Sequence, residues 1–199
     1  MVGFALGNAQ GNVKFKDFKL GDKIKSSTWV FNGYGSYSLT DNWFVRGALT
    51  GASTKVNSSE KRVGKNTGVA YAKGKYSVES LSAEAAVGYN YRISGGGIFT
   101  PSVGIRLGRV NDIEYRESGA GIQNKEINHK ASNTTSVLLG AQYTTTQYWD
   151  DLVLTPEAHL NVQYSHGIKT PKGKFKPLGT NKFASYTGDK PSNLAINMG

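Results

Sequence analysis

Charged side chains placed at alternate positions inside otherwise apolar stretches are the residues here with most chemistry to offer. Arg46 stands between Val45 and Gly47, Glu84 between Ala83 and Ala85, Arg92 between Tyr91 and Ile93, and Arg106 between Ile105 and Leu107; Glu157 and His159 flank Ala158. If such groups are enclosed they must be paired or wet. They suit an ion-pair network in a polar channel, contact with a segment threaded through it, or tuning of ion selectivity. Metal binding fits poorly, because His129, His159 and His166 lack close ligand spacing and there is no cysteine. A protease-like acid–base group would have to recruit Asp112, Glu114 and His166, and nothing in their spacing singles them out. We therefore expect no enzyme, no cofactor and no metal site.

The elements that carry these residues alternate apolar and polar positions, so each row is one face of a sheet. We expect eight strands. The first runs from about Val2 to Gln10. The second and third (Trp29 to Leu39, Trp43 to Gly51) join at Asp41-Asn42. A Gly/Ser/Lys/Asn loop is expected from about Lys55 to Lys75. The fourth strand, Leu81 to Ile93, turns at Ser94-Gly95-Gly96-Gly97 into the fifth, Phe99 to Gly108. A polar loop reaches about Lys130, and the sixth strand carries Val137 to Tyr143. Tyr148-Trp149-Asp150-Asp151 is the next tight turn, Leu152 to Tyr164 the seventh strand, and Asn193 to Met198 the last, after a Lys/Gly/Pro-rich loop. Pro101 and Pro156 each follow Thr just after a tight turn, near a strand start or edge where a missing N–H is tolerated.

Hydrophobic content of 38% and a mean hydropathy of −0.42 exclude a helical membrane protein. They do not exclude a transmembrane barrel, whose every second residue faces inward. The opening Met-Val-Gly-Phe-Ala-Leu-Gly is no signal peptide, so we expect a piece of a longer precursor. Net charge is +10, and its excess lies in the long connections (Lys14, Lys23, Lys25, Lys55, Lys73, Lys75, Lys169, Lys172 among them), while the tight turns carry Asp41, Asp150 and Asp151. Such loops would attract anionic lipid A phosphates or glycans. No aromatic-basic strand motif points to nucleic acid.

Alternation alone leaves two arrangements, a soluble barrel with the apolar row inside or a membrane barrel with it outside. The polar row favours the second, because it is small and amidic (Ala86, Gly88, Gly104, Gly140, Asn161, Gln163) with almost no Lys. Aromatics at the tight-turn ends, Trp43, Phe44, Tyr91, Phe99, Tyr148 and Trp149, suit an interfacial girdle. The expected fold class is all-β: an antiparallel, up-and-down transmembrane β-barrel, here read as one domain over residues 1–199, incomplete at both ends. In it Arg46, Glu84, Arg92, Arg106, Glu157 and His159 line the pore. The sequons at Asn57 and Asn133 are then coincidental.

The segments Val2-Gly3-Phe4-Ala5-Leu6-Gly7, Tyr34-Gly35-Ser36-Tyr37 before Asp41-Asn42-Trp43-Phe44-Val45, Ala83-Glu84-Ala85-Ala86-Val87-Gly88-Tyr89, Phe99-Thr100-Pro101-Ser102-Val103-Gly104-Ile105-Arg106, Tyr115-Arg116-Glu117-Ser118-Gly119-Ala120 and Leu154-Thr155-Pro156-Glu157-Ala158-His159-Leu160 resemble the translocator β-domain of autotransporters (type V secretion). The Lys- and Asn-rich flavour is similar to rickettsial surface-antigen autotransporters. The resemblance implies a twelve-stranded barrel, of which this chain looks like strands three to ten. It also implies a pore helix, a final strand with a terminal aromatic read by the barrel assembly machinery, a passenger, and an outer-membrane setting with lipid and lipopolysaccharide around it. For Glu84, Arg106 and Glu157 it implies a lumenal place. The alternative is a small stand-alone outer-membrane barrel acting as adhesin or surface antigen through its basic loops.

Overall fold

The computed structural model describes residues 1–16, 21–64, 68–150, 152–167, 172–189 and 192–199. Strands follow one another along them: β1 (Val2–Lys14), β2 (Lys23–Ser38), β3 (Trp43–Gly64), β4 (Gly68–Tyr89), β5 (Tyr91–Ile93), β6 (Gly97–Val110), β7 (Ile113–Arg116), β8 (Lys125–His129), β9 (Ser132–Thr145), β10 (Gln147–Trp149), β11 (Leu152–Leu154), β12 (Glu157–Gly167), β13 (Lys172–Pro177), β14 (Ala184–Thr187) and β15 (Ser192–Met198). A 3-10 turn at Gly121–Gln123 precedes β8.

The main sheet is an antiparallel meander in the order β1-β2-β3-β4-β6-β9-β12-β15, with β5 beside β6. The expected strands are present in it, except that the start of the expected seventh, Leu152–Leu154, pairs with β10 in a separate two-stranded sheet. Its pairings keep one register from end to end. Val2, Gly35, Gly47, Ala85, Ile105, Val137, Tyr164 and Leu194 stand side by side, and the adjacent row is Gly3, Tyr34, Ala48, Glu84, Arg106, Ser136, Ser165 and Asn193. A one-residue slip would carry every side chain to the other face, so the constant register keeps one face apolar throughout.

That apolar face is uncovered. Phe4 is 79% exposed, Ile105 47%, Leu139 53% and Ile196 60%, and no large side chain among the described residues is fully buried. A soluble barrel would enclose these side chains in a dry centre, so the apolar-in arrangement is excluded. The buried apolar residues, Val56, Ala72, Ala86, Ala120 and Ile127, are few and mostly small. On the other face the strands approach closely. A Cβ on Gly104 would stand 2.8 Å from the Ala85 carbonyl oxygen and 2.6 Å from the Ala86 Cβ. Gly104→Val is therefore expected to destabilise the sheet by about 1–3 kcal/mol, as overpacking does, read as a lower urea midpoint with an unchanged slope.

The expected loop from Lys55 to Lys75 is corrected. There β3 and β4 continue as a ladder out to the pair Gly64–Gly68; residues 65–67 lie outside the described set. Ser58, Ser59, Glu60, Lys61 and Arg62 present no apolar row, so the period-two signal fades although the backbone pairing continues. The polar loops before Lys130 and after His166 are corrected too, since they contribute β7, β8, β13 and β14 to a separate four-stranded sheet ordered β14-β13-β8-β7. This sheet docks on the extended hairpin. The Lys73 and Ser118 backbones exchange hydrogen bonds of 2.7 and 2.9 Å, and Tyr76 stacks on Tyr115 with ring centroids 4.4 Å apart. Burial holds the Tyr115 phenol above its ordinary pKa, with smaller pushes from Tyr76 and Glu117.

At the opposite end the connections are short. Thr40 Oγ1 accepts a hydrogen bond from the Trp43 N–H at 3.0 Å, closing the Asp41-Asn42 turn. Gly95 and Gly96, with φ of 103° and 85°, supply left-handed conformations in the Gly-rich turn that side chains disfavour. Asp150 has a φ of 47° after the β10–β11 hairpin begins, and Asp151 lies outside the described residues. Both prolines fall where the ladder is interrupted. Pairing of β6 ends at Gly88–Ser102 and resumes at Tyr91–Phe99, with Pro101 between; Pro156 separates β11 from β12, dividing the expected seventh strand. Trp43 and Tyr89 meet edge-on at 5.0 Å. Phe44 departs from the girdle expectation: it has the opposite parity from Trp43, and its ring lies over Gly88 on the polar face.

Candidate functional site

The polar face carries the charged residues, and its centre is a connected network. Arg106 donates from Nη2 and Nε to Glu84 Oε2 at 2.6 and 3.0 Å. Its Nη1 donates to Gln163 Oε1 at 3.0 Å, reaching past β9 to β12. Gln163 Nε2 donates to Ser165 Oγ at 2.9 Å, and the Ser165 and Ser136 hydroxyls lie 2.9 Å apart. The row register explains this, because Glu84, Arg106, Ser136 and Ser165 are direct cross-strand partners. Toward the long connections the ladder continues with Asn32 donating to Thr50 Oγ1 at 2.6 Å, and with the Thr28 and Thr54 hydroxyls 2.9 Å apart.

This face is concave. A cavity of about 540 Å³ is lined by Met1, Tyr34 and Ser36 on one side and Asn161 of β12 on the other, with Arg46 and Glu84 between. Strands β3, β4, β6 and β9 separate β2 from β12 in the sheet, so one cavity touches both only if the sheet curls around its polar side. A second cavity of about 240 Å³ is lined by Arg46, Glu157, His159, Asn161 and Phe44. Arg46 borders both.

The residues singled out from the sequence thus gather on one face. Arg46, Glu84 and Arg106 line or bridge its central part, and His159 and Glu157 stand nearer the turn end, Glu157 in the same row as Arg92. Arg92 shares the face by register but sits at the turn end, exposed, beside Ile98. His159 lies 4.0 Å from Glu157 through Nδ1 and bonds Asn197 Oδ1 through Nε2 at 3.0 Å. Both ring nitrogens face polar groups that orient the ring. Asp112, Glu114 and His166 are not brought together: Asp112 accepts from the Ala131 N–H, Glu114 lies in β7, and His166 pairs with Thr135 and Ser192 in the main sheet. Among the described residues no cluster of acids and histidines could hold a metal ion.

Sequence reasoning missed Gln163 as a network member, although its place in the polar row was visible. It also missed Arg62 and Glu117, which pair across the gap between β3 and the loop sheet. Replacing Arg106 with Met should weaken the main sheet by about 1–2 kcal/mol. The pair's hydrogen bonds are charge-assisted, but its Arg side chain is 39% exposed, and solvent screening discounts the loss. Denaturant titration of Arg106→Met against Arg106→Lys checks it; the Lys variant should recover only part, having no planar fork.

The comparisons with known proteins agree with this geometry. The family model described as autotransporter beta-domain matches residues 1–199. Outer membrane protein A of Rickettsia conorii is 33% identical over 92% of this chain, which corresponds to 10% of that protein. Outer membrane protein B of Rickettsia rickettsii is 30% identical over 80% of the chain and 10% of its own length. The chain therefore spans about a tenth of these curated relatives. Among solved structures, the β-domain of the Bordetella autotransporter Brka superposes with a TM-score of 0.58 at 16% identity, covering 99% of this chain and 78% of that one. That likeness is one of fold.

Proposed function

Because the chain belongs to the autotransporter β-domain family, we propose that it serves as translocator: part of an outer-membrane barrel whose interior gives a surface passenger its path and whose wall then anchors it. The observation that carries this is the division between faces. Apolar side chains are presented outward without cover, and the charged, hydrogen-bonded groups are gathered on the concave side. In lipid the outward row supplies the insertion energy and the closed ladder satisfies the backbone. Arg46, Glu84, Arg92, Arg106, Glu157 and His159 line the passage, with no catalytic role. A single β-domain is formed, to which strands outside these residues contribute. The stand-alone alternative would need β1 to meet β15, and no such pairing exists among the described residues. Passenger, outer-leaflet lipopolysaccharide and the assembly machinery are the partners of this reading.

Residues 1–199 hold no cysteine, so each introduced thiol is unique within them, and the unsubstituted parent protein supplies the labelling background. In the parent protein within outer membranes, Ala48→Cys and Ser102→Cys should react with a water-borne maleimide. Fluorophores placed through Leu49→Cys and Val103→Cys should instead be quenched by nitroxide lipids. Labelling of the opposite pair, or quenching on both faces, would sink the proposal.

A further inference from the structure

Beyond the apolar band, on the outward face, lysines replace the hydrophobic residues. On that face Trp29 lies in a row with Asn8, Ser53 and Glu79. The next row outward holds Lys55, the one after it Lys25 and Lys75, and the one after that Lys14, Lys23 and Lys73. All of these lysines are exposed, while of their neighbours of opposite parity Val56, Ala72 and Gly74 are buried and Tyr76 stacks on Tyr115 of the loop sheet. No acidic side chain pairs with them among the described residues. The nearby carboxylates are Glu79, which faces Asn111 at 3.5 Å, and Asp22, which accepts the Lys61 backbone N–H at 2.7 Å.

Directly below this lysine field is a groove of about 410 Å³, open to the outside and lined by Leu6, Trp29, Phe31, Gly51 and Leu81, with Glu79 and Asn111 at its rim. Its floor is Gly51, where an added Cβ would meet nothing within 4 Å. Arg109 stands beside Leu81 in the same row. With strands tilted ~40°, successive rows rise about 5 Å, so the lysine rows occupy the roughly 5–15 Å above the last apolar row, at and just beyond the depth of lipid headgroups.

We propose that this surface binds a phosphorylated glycolipid of the outer leaflet, of the lipid A kind. One acyl chain lies in the Trp29–Gly51–Leu81 groove, and Lys25, Lys55 and Lys75 receive its phosphates. This rests on the membrane reading above and adds a defined ligand site to it. Two independent features meet here: a vertical order of apolar groove then cations, which mirrors acyl chain then phosphate, and the confinement of the lysines to the lipid-facing parity. The charges of the other parity there, Glu60 and Arg62, pair with each other, and Arg62 also with Glu117, instead of standing free.

The test uses the whole parent protein in phosphatidylethanolamine nanodiscs containing bisphosphorylated hexa-acyl lipid A, with retained lipid measured by native mass spectrometry. Inositol hexakisphosphate serves as an acyl-free polyanion and phosphatidylglycerol as a simple anionic lipid. Combining Lys25→Gln, Lys55→Gln and Lys75→Gln should lower lipid A retention roughly hundredfold, since each cation near an anionic surface contributes about fivefold. Gly51→Leu should fill the groove and lose lipid A while still binding inositol hexakisphosphate. Unchanged lipid A retention in either variant overturns the proposal, as does equal retention of phosphatidylglycerol. The cysteine labelling described above runs in parallel: normal face labelling with no lipid preference defeats this inference alone, and reversed labelling removes the membrane reading and this site together.

Discussion

Ile105→Arg should lower the stability of the membrane-inserted protein by about 2–4 kcal/mol if it lies near the bilayer midplane, whereas Ser102→Arg should be milder. Ile105 stands in the middle row of the outward face, between Ala85 and Val137, and is 47% exposed. A guanidinium there enters hydrocarbon with nothing to pair it. Ser102 has the opposite parity and borders the polar cavity lined by Arg46, Glu157 and Asn161, so an added cation has Glu157 as a partner, with Arg46 setting the residual cost. Urea titration after refolding into thin bilayers measures both. Equal penalties would mean that the two faces share one environment, contrary to the exposure pattern.

The second large effect concerns the loop sheet. Glu117 is buried, its side chain 3% exposed, and it accepts Arg62 Nη2 at 3.2 Å and the Lys125 N–H at 2.8 Å. Arg62, 18% exposed, also donates to Glu60 at 2.6 Å. Removing Glu117 leaves the Lys125 N–H without its acceptor and Arg62 with Glu60 alone, so Glu117→Ala should loosen docking of the loop sheet by about 2–3 kcal/mol. The readout is local: protease cleavage within 113–129 should rise steeply while the heat-resistant barrel band stays. Glu60→Ala, at the more exposed acid, should do much less. A parallel loosening should appear at high pH. The folded Tyr115 phenol has a raised pKa, so its neutral form is the one the docked sheet prefers. That contribution is complete below the unfolded value near ~10 and is lost as pH rises toward the folded value. Tyr115→Phe should abolish this part of the alkaline loosening.

The sequence disclosed what depended on one-sided environments. Strands β1, β2, β4, β6, β9 and β12 announce themselves because lipid-facing Leu, Val, Ile and Phe alternate with small or polar partners. Face assignment followed from the composition of the second row, and the clustering of Arg46, Glu84, Arg106, Glu157 and His159 followed from parity. What was not legible lies beyond the membrane. From Asn57 to Arg62 β3 carries only polar side chains, so pairing there rests on backbone bonds that carry no side-chain signature. The loop sheet needs contacts distant in sequence, such as Arg62 with Glu117 and Tyr76 with Tyr115, and no local pattern encodes them. Phe44 misled because an aromatic beside a turn looks like a girdle residue whichever way it points; only its parity, opposite to Trp43, reveals the difference. Gln163 shared a visible row, yet its link to Arg106 depends on the curl of the sheet.

The uninterrupted meander has an evolutionary corollary. Since every long strand joins only its sequence neighbours and the register never slips, the architecture is modular in units of one hairpin. Gain or loss of such a unit would change the girth of the wall while leaving each remaining residue oriented as before. Diameter can therefore drift in steps of two, decoupled from which side chains point outward and which point to the concave side.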